Sequence, residues 1–394
     1  MNYEREISQE LLNGLKGKEI IVVTGMRRVG KTTLLKMAFE TIESANKVFL
    51  DLENPIEQRI FEEQDYNNIW QNLKSYGITK ENKAYIFLDE IQHVPEIAKP
   101  LKYLHDHYDV KFVVTGSSSY YLKNLFPESL AGRKNLMSLS PLSFHEFLLF
   151  RGIQRPVQND LSVLETSKNP VTFERYYKLF DEFLQYGGFP QVVLAESIAQ
   201  KKMMLNDIFT SYFEKDVRVL ADFRNMRAFR DTLLLLLQRV GSKLDITRLA
   251  SEVGVSRETI YSYISFLEAT YVLFTITPYT KNREREISGT RKVYCCDTGF
   301  LNTFAQISGG SIFENACFLS LSRFGTLRYY QKRSGGEIDF ILPELSAAVE
   351  VKSRATRYDH SRVEKIATSI GIQKHFVVTK EYCAEPGCIS ALDL

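Results

Sequence analysis

The stretch Val22–Val23–Thr24–Gly25–Met26–Arg27–Arg28–Val29–Gly30–Lys31–Thr32–Thr33 decides the fold. An apolar run from Glu19 to Val23 leads into a loop of the form G-x-x-x-x-G-K-[ST]. The apolar residues that follow are spaced as in a helix. Strand, loop and helix therefore succeed one another in the order that a phosphate-binding loop requires.

This loop has the chemistry to hold a nucleoside triphosphate, although an ordinary glycine-lysine turn is the alternative. Its glycines allow backbone N–H groups to approach phosphate oxygens at the positive end of the following helix. Lys31 supplies charge near the outer phosphates, and the hydroxyl of Thr32 is an oxygen ligand for Mg²⁺. The predicted ATP-binding residues are Gly25, Met26, Arg27, Arg28, Val29, Gly30, Lys31, Thr32 and Thr33.

The length of 394 residues predicts two or three domains, since one ordinary core rarely grows so large. A hydrophobic fraction of 44% and a charged fraction of 25% are typical of globular proteins and argue against extensive disorder. The net charge of +2 excludes bulk-charge binding of nucleic acid, as in histones, but is compatible with local basic patches.

Targeting and cysteine patterns add two expectations. No apolar run is long enough to span a bilayer and no secretory segment follows Met1, so we expect a cytoplasmic protein without membrane contacts. The chain has five cysteines without C-x-x-C spacing, which predicts neither a disulfide framework nor a zinc site.

A second motif, Tyr85–Ile86–Phe87–Leu88–Asp89–Glu90, has four apolar or aromatic residues followed by two carboxylates. It predicts a buried parallel strand that delivers acids to its carboxyl end, which is the Walker B pattern. We expect Asp89 to hold the hydrated Mg²⁺ and Glu90 to polarise the attacking water. A strand that merely ends in a charged turn is the alternative.

Two further residues are candidates for the same site. Ser117 follows the predicted strand Lys111–Thr115, at the edge where a hydroxyl can sense a γ-phosphate or the lytic water; serines as turn formers are the alternative. Arg133 follows Gly132 just beyond a predicted helix. It could reach a γ-phosphate in a neighbouring subunit of a homo-oligomer, or form a surface ion pair.

These motifs resemble a large bacterial and archaeal family of AAA-type P-loop ATPases. The resemblance includes the motifs Leu130–Ala131–Gly132–Arg133, Pro141–Leu142–Ser143–Phe144–His145–Glu146–Phe147 and Gly187–Gly188–Phe189–Pro190. It implies an α/β fold: a P-loop NTPase parallel sheet with a helical lid, a winged helix-turn-helix and a C-terminal restriction-endonuclease-like α/β domain. The corresponding expected boundaries are 1–140, 141–225, 226–290 and 291–394.

The middle of the chain fits a lid and a winged helix. Aromatic and leucine residues recur at helical spacing from Phe144 onward, and Asp207, Tyr212 and Asp216 are interpreted as interdomain contacts. Two predicted helices around Gly254 precede two strands that flank a charged tip. In a DNA reader Arg257, Tyr261 and Ser262 would face the groove, while Lys281, Arg283 and Arg285 would touch phosphates. Because Glu258, Glu284 and Glu286 dilute this charge, a protein-docking winged helix is equally favoured.

The C-terminal region has a candidate site of its own. Two apolar strands, Gly336–Leu342 and Ala347–Lys352, carry charges, and period-two alternation puts Glu350 and Lys352 on one face. Asp339 with the Glu-x-Lys pattern matches the PD-(D/E)XK nuclease arrangement, in which the acids hold Mg²⁺ and the lysine orients water. Glu314 matches the upstream acid, and a metal-free Glu350–Lys352 ion pair or a lapsed nuclease fold is the alternative.

The functional expectation has two forms. In the first, a Mg²⁺-dependent ATPase couples its nucleotide state to nucleic-acid binding or cleavage by the C-terminal domain. In the second, an ATP-dependent switch or scaffold with an inactive nuclease-like domain acts through protein partners.

Overall fold

The computed structural model of this chain describes residues 4–116, 133–156, 158, 160–166, 168–218, 223, 225–280, 282–332 and 335–394. The side chains of Thr166, Arg283, Arg285 and Ile287 are outside this description. The chain divides into two compact units. Unit 1 comprises Met1–Ser140, Ile208–Asp222 and Ala269–Tyr271, and unit 2 comprises Pro141–Asp207, Phe223–Glu268 and Val272–Leu394, each without its undescribed residues.

Unit 1 is built on a five-stranded parallel sheet of order β2-β3-β4-β1-β5. Its strands are β1 (Ile20–Thr24), β2 (Lys47–Asp51), β3 (Ala84–Asp89), β4 (Val110–Gly116) and β5 (Lys134–Ser138). Because all five run in one direction, their carboxyl ends share one edge of the sheet. The predicted parallel sheet is thus confirmed.

Helices cover this sheet because its central strands are apolar on both faces. Every residue of β1 and β4 is buried, which is the pattern expected of a parallel strand between two layers. One face packs around Trp70 and the helices near it. The helices of this unit before residue 140 are Ser8–Gly14, Lys31–Glu40, Pro55–Phe61, Tyr66–Lys74 and Ala98–His107, with a 3-10 turn at Ile91–His93.

The remaining described helices follow in chain order. They are Phe144–Phe150, Leu161–Thr166, Pro170–Tyr186, Pro190–Leu194, Ile198–Ser211, the π-helix Tyr212–Val217, Met226–Leu237, Ile246–Val253, Arg257–Ala269, Arg283–Ser288, Thr298–Phe304, Gly309–Leu321 and Arg357–Ile370, with 3-10 turns at Ser322–Phe324, Pro343–Leu345 and Ala391–Asp393. Within the described ranges, no helix has the length and apolar character needed to cross a membrane.

Unit 2 contains a two-stranded ribbon in which β6 (Leu273–Ile276) pairs antiparallel with β7 (Lys292–Cys295). The sequence predicted a charged tip between these strands, and the structure contains a helix there, Arg283–Ser288. The helix forms because Asn282 caps it: its side-chain oxygen accepts a hydrogen bond from the Glu284 N–H at 2.9 Å. Within the first turn of this helix, Glu286 pairs with Arg328 at 2.7 Å.

A mixed five-stranded sheet of order β12-β11-β10-β9-β8 forms the C-terminal part of unit 2. Its strands are β8 (Arg328–Gln331), β9 (Glu337–Leu342), β10 (Ala347–Lys352), β11 (Lys374–Thr379) and β12 (Cys388–Ser390). Strands β10, β11 and β12 are parallel, whereas β9 runs antiparallel to both of its neighbours. The helix Arg357–Ile370 packs its buried Val363, Ile366 and Ala367 into the apolar cluster of one sheet face.

The turn at Gly187–Gly188–Phe189–Pro190 is fastened by a buried acid that the sequence analysis did not identify. Asp297 accepts hydrogen bonds from the backbone N–H groups of Gly188 at 2.7 Å and Phe300 at 2.9 Å. A Cβ atom on Gly188 would lie 2.2 Å from the carbonyl oxygen of Leu142, so only glycine fits there. Burial raises the pKa of Asp297 to about 6.

The sequence predicted no disulfide framework, but the structure contains a disulfide bond between two nearby cysteines. Cys383 and Cys388 are joined, with their Cα atoms 6.2 Å apart, because a short turn brings the start of β12 back towards residue 383. Cys295, Cys296 and Cys317 are buried and take no part in this bridge. His360 lies beside the disulfide bridge. The side chains of His360, Cys383 and Cys388 could ligate a metal ion only after the bridge is reduced.

Candidate functional site

The glycine-lysine loop connects the end of β1 at Thr24 to the helix that begins at Lys31. Gly25 has a φ angle of 147°, and a Cβ atom there would lie 2.1 Å from the carbonyl oxygen of Leu139. Gly30, the residue before the helix, has a φ angle of 99°. Both positions therefore require glycine, and the loop wraps closely around the start of the helix.

Lys31 is buried inside this loop. Its Nζ atom donates hydrogen bonds to the carbonyl oxygens of Gly25 at 2.9 Å and Met26 at 3.1 Å. Burial lowers the pKa of Lys31, while the charges of Glu90 and Asp216 oppose that shift. The ammonium group is thus held against the loop backbone, at the same end of the sheet as the acids of β3.

Asp89 is the last residue of β3 and is only 3% exposed. The hydroxyl of Thr115 donates a hydrogen bond to its Oδ1 atom, and the side chain of Thr32 lies near the same carboxyl group. Burial raises the pKa of Asp89, and the interactions with Thr115 and Thr32 oppose the shift. The structure therefore brings Thr32 and Asp89 together, and their oxygens fit a hydrated Mg²⁺ ion.

Glu90 directly follows Asp89 and adopts a left-handed backbone conformation with a φ angle of 53°. Its N–H donates to the hydroxyl of Thr115 at 2.9 Å, and Gln92 donates to its carboxylate. A non-glycine residue in this region is strained by about 1 kcal/mol, and such strain is common at functional sites. Thr115 therefore links both acids through one hydroxyl group.

The sequence analysis missed Thr115, although it noted the strand. The available signal was a hydroxyl side chain that directly follows the apolar run Phe112–Val113–Val114. In the structure all residues of β4 are buried. A fully buried hydroxyl needs a partner, and the acids at the end of neighbouring β3 provide it. Ser117, which was the predicted sensor, lies outside the described residues.

A second layer of contacts holds the loop. Arg27 pairs with Asp216 at 3.2 Å, and Arg28 donates to the hydroxyl of Ser211 at 2.9 Å. Both partners belong to unit 1, near or within the π-helix Tyr212–Val217. Asp216 was interpreted as an interdomain contact, and here it lies in the same compact unit as the loop. The two arginines are thus engaged by protein groups rather than fully solvated.

Arg133 lies at the opposite end of the sheet. It immediately precedes β5, whose first residue, Lys134, pairs with Ile20 at the start of β1. The loop begins at the other end of β1, roughly 15 Å away at about 3.3 Å per residue. Arg133 pairs with Asp106 at 3.1 Å, which is the surface ion pair of the alternative interpretation. Within its own chain it does not approach Lys31.

The second candidate site is a group of acids in unit 2, here called the carboxylate cluster, in which Glu350 is buried and the other members are partly exposed. Its members are Glu314, Glu337, Asp339 and Glu350. Two come from β9, one from β10 and one from the helix Gly309–Leu321. The helix is fixed against β7 because the side chain of Asn315 bonds both the N–H and the C=O of Cys295.

Burial and mutual repulsion perturb these acids. The pKa of Glu314 and that of Glu350 are each raised to about 7, first by burial and then by the charge of Asp339. Burial likewise raises the pKa of Asp339, whose Oδ2 atom accepts a hydrogen bond from the Val351 N–H at 2.9 Å. Such a group of desolvated carboxylates is a site for cations.

Three cations meet the carboxylate cluster. Lys352 and Arg362 both contact Oε1 of Glu350, the lysine at 3.0 Å. Lys292 contacts the other three acids, and its nearest oxygen is Oε1 of Glu337 at 2.5 Å. The Oε2 atom of Glu350 is buried and has no hydrogen-bond partner within the described part of the chain. That orphaned oxygen fits a metal ligand.

Sequence reasoning predicted Glu314, Asp339, Glu350 and Lys352 for this site, and the structure brings all of them together. It missed Glu337, Lys292 and Tyr294. Lys292 and Tyr294 alternate with apolar residues along β7, and both are buried. A lysine in a short strand of otherwise apolar and aromatic residues could have indicated an acidic partner. The sequence alone does not say which acid that partner is.

The two helices before the ribbon expose some of the predicted DNA-contacting residues. Tyr261 is 60% exposed, and Arg257 and Ser262 are also exposed. The first helix, Ile246–Val253, starts at Asp245, whose carboxylate accepts from the Arg248 N–H at 2.9 Å. Lys281 and the side chains of Arg283 and Arg285 lie outside the description.

Comparison with known protein families agrees with the first site. Residues 17–148 match the family model described as AAA domain, so this part of the chain is similar to AAA-type P-loop domains. Residues 177–311 match a second family model, described as a domain of unknown function (DUF8612).

Similar full-length proteins occur in archaea and bacteria. The uncharacterized protein MJ1544 of Methanocaldococcus jannaschii is 29% identical over 351 residues, 85% of this chain and 75% of that protein. An uncharacterized protein of Haemophilus influenzae is 28% identical over 347 residues, 84% of this chain and 82% of that protein.

Solved structures are more distant. The chain is similar to the Aeropyrum pernix ORC1 protein in complex with DNA, with 13% identity, a TM-score of 0.33, and coverage of 82% of this chain and 94% of that one. It is also similar to AMPPCP-bound DnaA from Aquifex aeolicus, with 17% identity, a TM-score of 0.29, and coverage of 67% and 86%. Likeness at this level carries no functional assignment.

Proposed function

We propose that this chain binds ATP with Mg²⁺ at the glycine-lysine loop and hydrolyses it. The observation that carries the proposal is the contact of Thr32 with the buried carboxyl group of Asp89, at the carboxyl edge of a parallel sheet. One residue supplies a hydroxyl and the other a carboxylate, and these are the protein ligands that a nucleotide-bound Mg²⁺ uses in this class of site.

Each residue then has a separate task. Lys31 directs its charge to the β- and γ-phosphates, and the glycines let the backbone approach them. Mg²⁺, when bound, neutralises developing charge on the phosphate oxygens. Glu90 accepts the proton of the attacking water, and Thr115 fixes the backbone of Glu90 while it orients Asp89.

The test is steady-state ATP hydrolysis with four proteins. Lys31→Ala removes phosphate binding, and Glu90→Gln keeps the shape but removes the base, so both should lower the rate by about 100-fold or more. Lys36→Ala is the matched control, because Lys36 is an exposed lysine on the same helix. The proposal fails if Glu90→Gln retains wild-type turnover.

We further propose that unit 2 cleaves phosphodiester bonds in nucleic acid with a divalent metal. The orphaned Oε2 atom of Glu350 beside Asp339 supports this function over a mere ion pair. Glu314, Asp339 and Glu350 would hold the metal, and Lys352 would orient the attacking water. The proposal includes the PD-(D/E)XK-like and winged-helix domains that the family resemblance implies, with nucleotide state controlling access of DNA to the acids.

Cleavage is measured on duplex, branched and single-stranded DNA with Mg²⁺ and with Mn²⁺. We expect wild-type cleavage that disappears in Asp339→Ala and Glu350→Gln, and persists in Glu381→Gln, a control acid on the surface. ATP hydrolysis without cleavage of any substrate would favour the switch or scaffold instead, with a protein partner on the winged helix. Binding of DNA that weakens with salt and in Arg257→Glu would support the DNA-reading alternative.

A further inference from the structure

Lys292 is the most enclosed cation of the carboxylate cluster, with only 5% of its side chain exposed. Its Nζ atom lies 2.5 Å from Glu337, 3.8 Å from Glu314 and 3.9 Å from Asp339. It also lies 5.5 Å from the centre of the Tyr329 ring. One ammonium group thus stands between three carboxylates that come from a helix and a strand.

This position is fixed by the strand that carries the lysine. Lys292 and Tyr294 are two residues apart in β7 and therefore lie on the same face of the strand. The hydroxyl of Tyr294 donates to Oε1 of Glu314 at 2.8 Å. The Tyr294 ring stacks on Phe318, at 4.3 Å between centroids, on the same helix as Glu314. The packing of Tyr294 against the helix therefore fixes β7, and with it the position of the Lys292 ammonium group.

Lys352 differs from Lys292 in its place. Its side chain is 37% exposed, and its Nζ atom lies 3.0 Å from Oε1 of Glu350. When all groups are charged, four carboxylates face Lys292, Lys352 and Arg362. A divalent ion held by Glu314, Asp339 and Glu350 would need two of the three carboxylates that now surround Lys292. Two cations close together repel each other strongly in a desolvated site.

We propose that Lys292 is an internal counter-ion that holds the position between Glu314, Glu337 and Asp339, and that a divalent metal ion enters only when this lysine leaves. This inference rests on the proposed metal-dependent function of the same centre. Lys292 is then a determinant of metal affinity. Without a bound metal ion, its charge offsets the repulsion among the carboxylates, and metal binding is weak until the lysine is displaced.

The test is a titration of the full chain with Mn²⁺, without nucleotide, in which free Mn²⁺ is measured by electron paramagnetic resonance. Lys292→Met should tighten Mn²⁺ binding by about tenfold or more, because the carboxylates keep their oxygens and lose the competing charge. Lys292→Arg keeps the charge and should bind as weakly as wild type. Lys365→Met, which removes an exposed lysine on the helix Arg357–Ile370, is the control and should leave the affinity unchanged.

Asp339→Asn added to Lys292→Met identifies the site, since it should abolish the gained affinity. The inference is overturned if Lys292→Met binds Mn²⁺ no more tightly than wild type, or if the gain survives Asp339→Asn.

Removal of the lysine also leaves repelling acids, so the thermal midpoint of Lys292→Met is measured in parallel. In EDTA the midpoint should fall below that of wild type, and millimolar Mn²⁺ should restore it, whereas wild type should show little shift. If Lys292→Met stays unfolded at every Mn²⁺ concentration while Lys292→Arg folds, a metal ion cannot replace the lysine and the inference is wrong.

These readouts do not depend on cleavage. A wild-type protein that cuts no nucleic acid, combined with tighter Mn²⁺ binding by Lys292→Met, rejects the nuclease proposal and supports the counter-ion. An active nuclease whose Mn²⁺ affinity is unchanged in Lys292→Met does the reverse.

Discussion

Thr115 serves both acids of the proposed nucleotide site with a single hydroxyl group. It donates its one hydroxyl hydrogen to Asp89 and accepts a hydrogen bond from the backbone N–H of Glu90. Asp89 and Glu90 could be predicted from the sequence because two acids after an apolar run are conspicuous. Thr115 could not, since its role depends on the pairing of β4 with β3, which no local pattern reveals.

Replacement of Thr115 by valine keeps the shape of the side chain and removes the hydroxyl. We expect the rate of ATP hydrolysis to fall about tenfold or more, because Glu90 and Asp89 lose a shared partner, while affinity for Mg·ATP changes little. Steady-state kinetics with a parallel binding titration separates the two effects. Thr115→Ser keeps the hydroxyl and should retain most activity, and wild-type turnover in Thr115→Val would refute this role.

Asp297 predicts a specific pH dependence of stability. Its pKa is about 6 in the folded chain and about 3.8 ordinarily, so the folded state binds the proton more tightly. Stability contributed by this group therefore falls as the pH rises from about 4 to about 6, and the loss is complete above the folded pKa. A shift of this size corresponds to about 3 kcal/mol.

The measurement is urea-induced unfolding of wild type and Asp297→Asn from pH 4 to pH 7.5. Other groups titrate alike in both proteins, so the difference between their free energies of unfolding isolates Asp297. We expect wild type to lose stability relative to the variant across the lower half of this range. A difference that is constant, or that grows in favour of wild type with pH, contradicts the assignment.

At the scale of elements, the turn at Gly187–Gly188–Phe189–Pro190 shows what a motif in the sequence leaves open. The glycines and the proline predict where the helix Pro170–Tyr186 ends, and it does end there. The partner of the turn, Asp297, is 109 residues away in the sequence from Gly188 and could not be inferred from spacing. The helix Arg283–Ser288 and the Cys383–Cys388 bridge were also missed, although both are local features. The helix depends on its cap at Asn282, and the bridge depends on a short turn of the chain.

Gly188→Ala tests the close approach at this turn. The added Cβ atom would lie 2.2 Å from the Leu142 carbonyl oxygen, so the backbone must shift, and we expect a loss of about 3 kcal/mol in the free energy of unfolding. Gly309→Ala is the matched control, because an added Cβ there meets nothing within 4 Å at the start of a helix. Chemical denaturation should find the control neutral or slightly stabilised, and equal losses in both variants would contradict the steric argument.

At the scale of the whole molecule, sequence patterns did not predict which segments of the chain make up unit 1. The sequence predicted β1, β2, β3 and β4, because each contains a run of apolar residues, but it did not predict β5, an edge strand whose side chains are mostly exposed. The segments Ile208–Asp222 and Ala269–Tyr271 join the same unit from far along the chain, and Asp216 and Tyr271 contact the loop region there. Such long-range contacts have no periodic signature in a single sequence.

Arg133 leads to a prediction about assembly. It lies far from the loop of its own chain, so any contribution to ATP hydrolysis must come from a neighbouring copy in a homo-oligomer. We expect Arg133→Ala and Lys31→Ala each to be inactive alone, and their mixture to regain part of the activity, because one copy supplies the arginine and the other the loop. Asp106→Asn, which breaks only the ion pair, should remain active. Full activity of Arg133→Ala, or no gain on mixing, would leave Arg133 as a surface ion pair.

The central claim is that a triphosphate binds over Lys31, with its magnesium ion between Thr32 and Asp89. Isothermal titration calorimetry with Mg·ATP tests it most directly, using wild type, Lys31→Ala and Lys36→Ala. The account predicts one binding site per chain in wild type and in Lys36→Ala, and at least about 100-fold weaker binding in Lys31→Ala. Equal affinity in all three proteins, or no heat of binding in wild type, would contradict it.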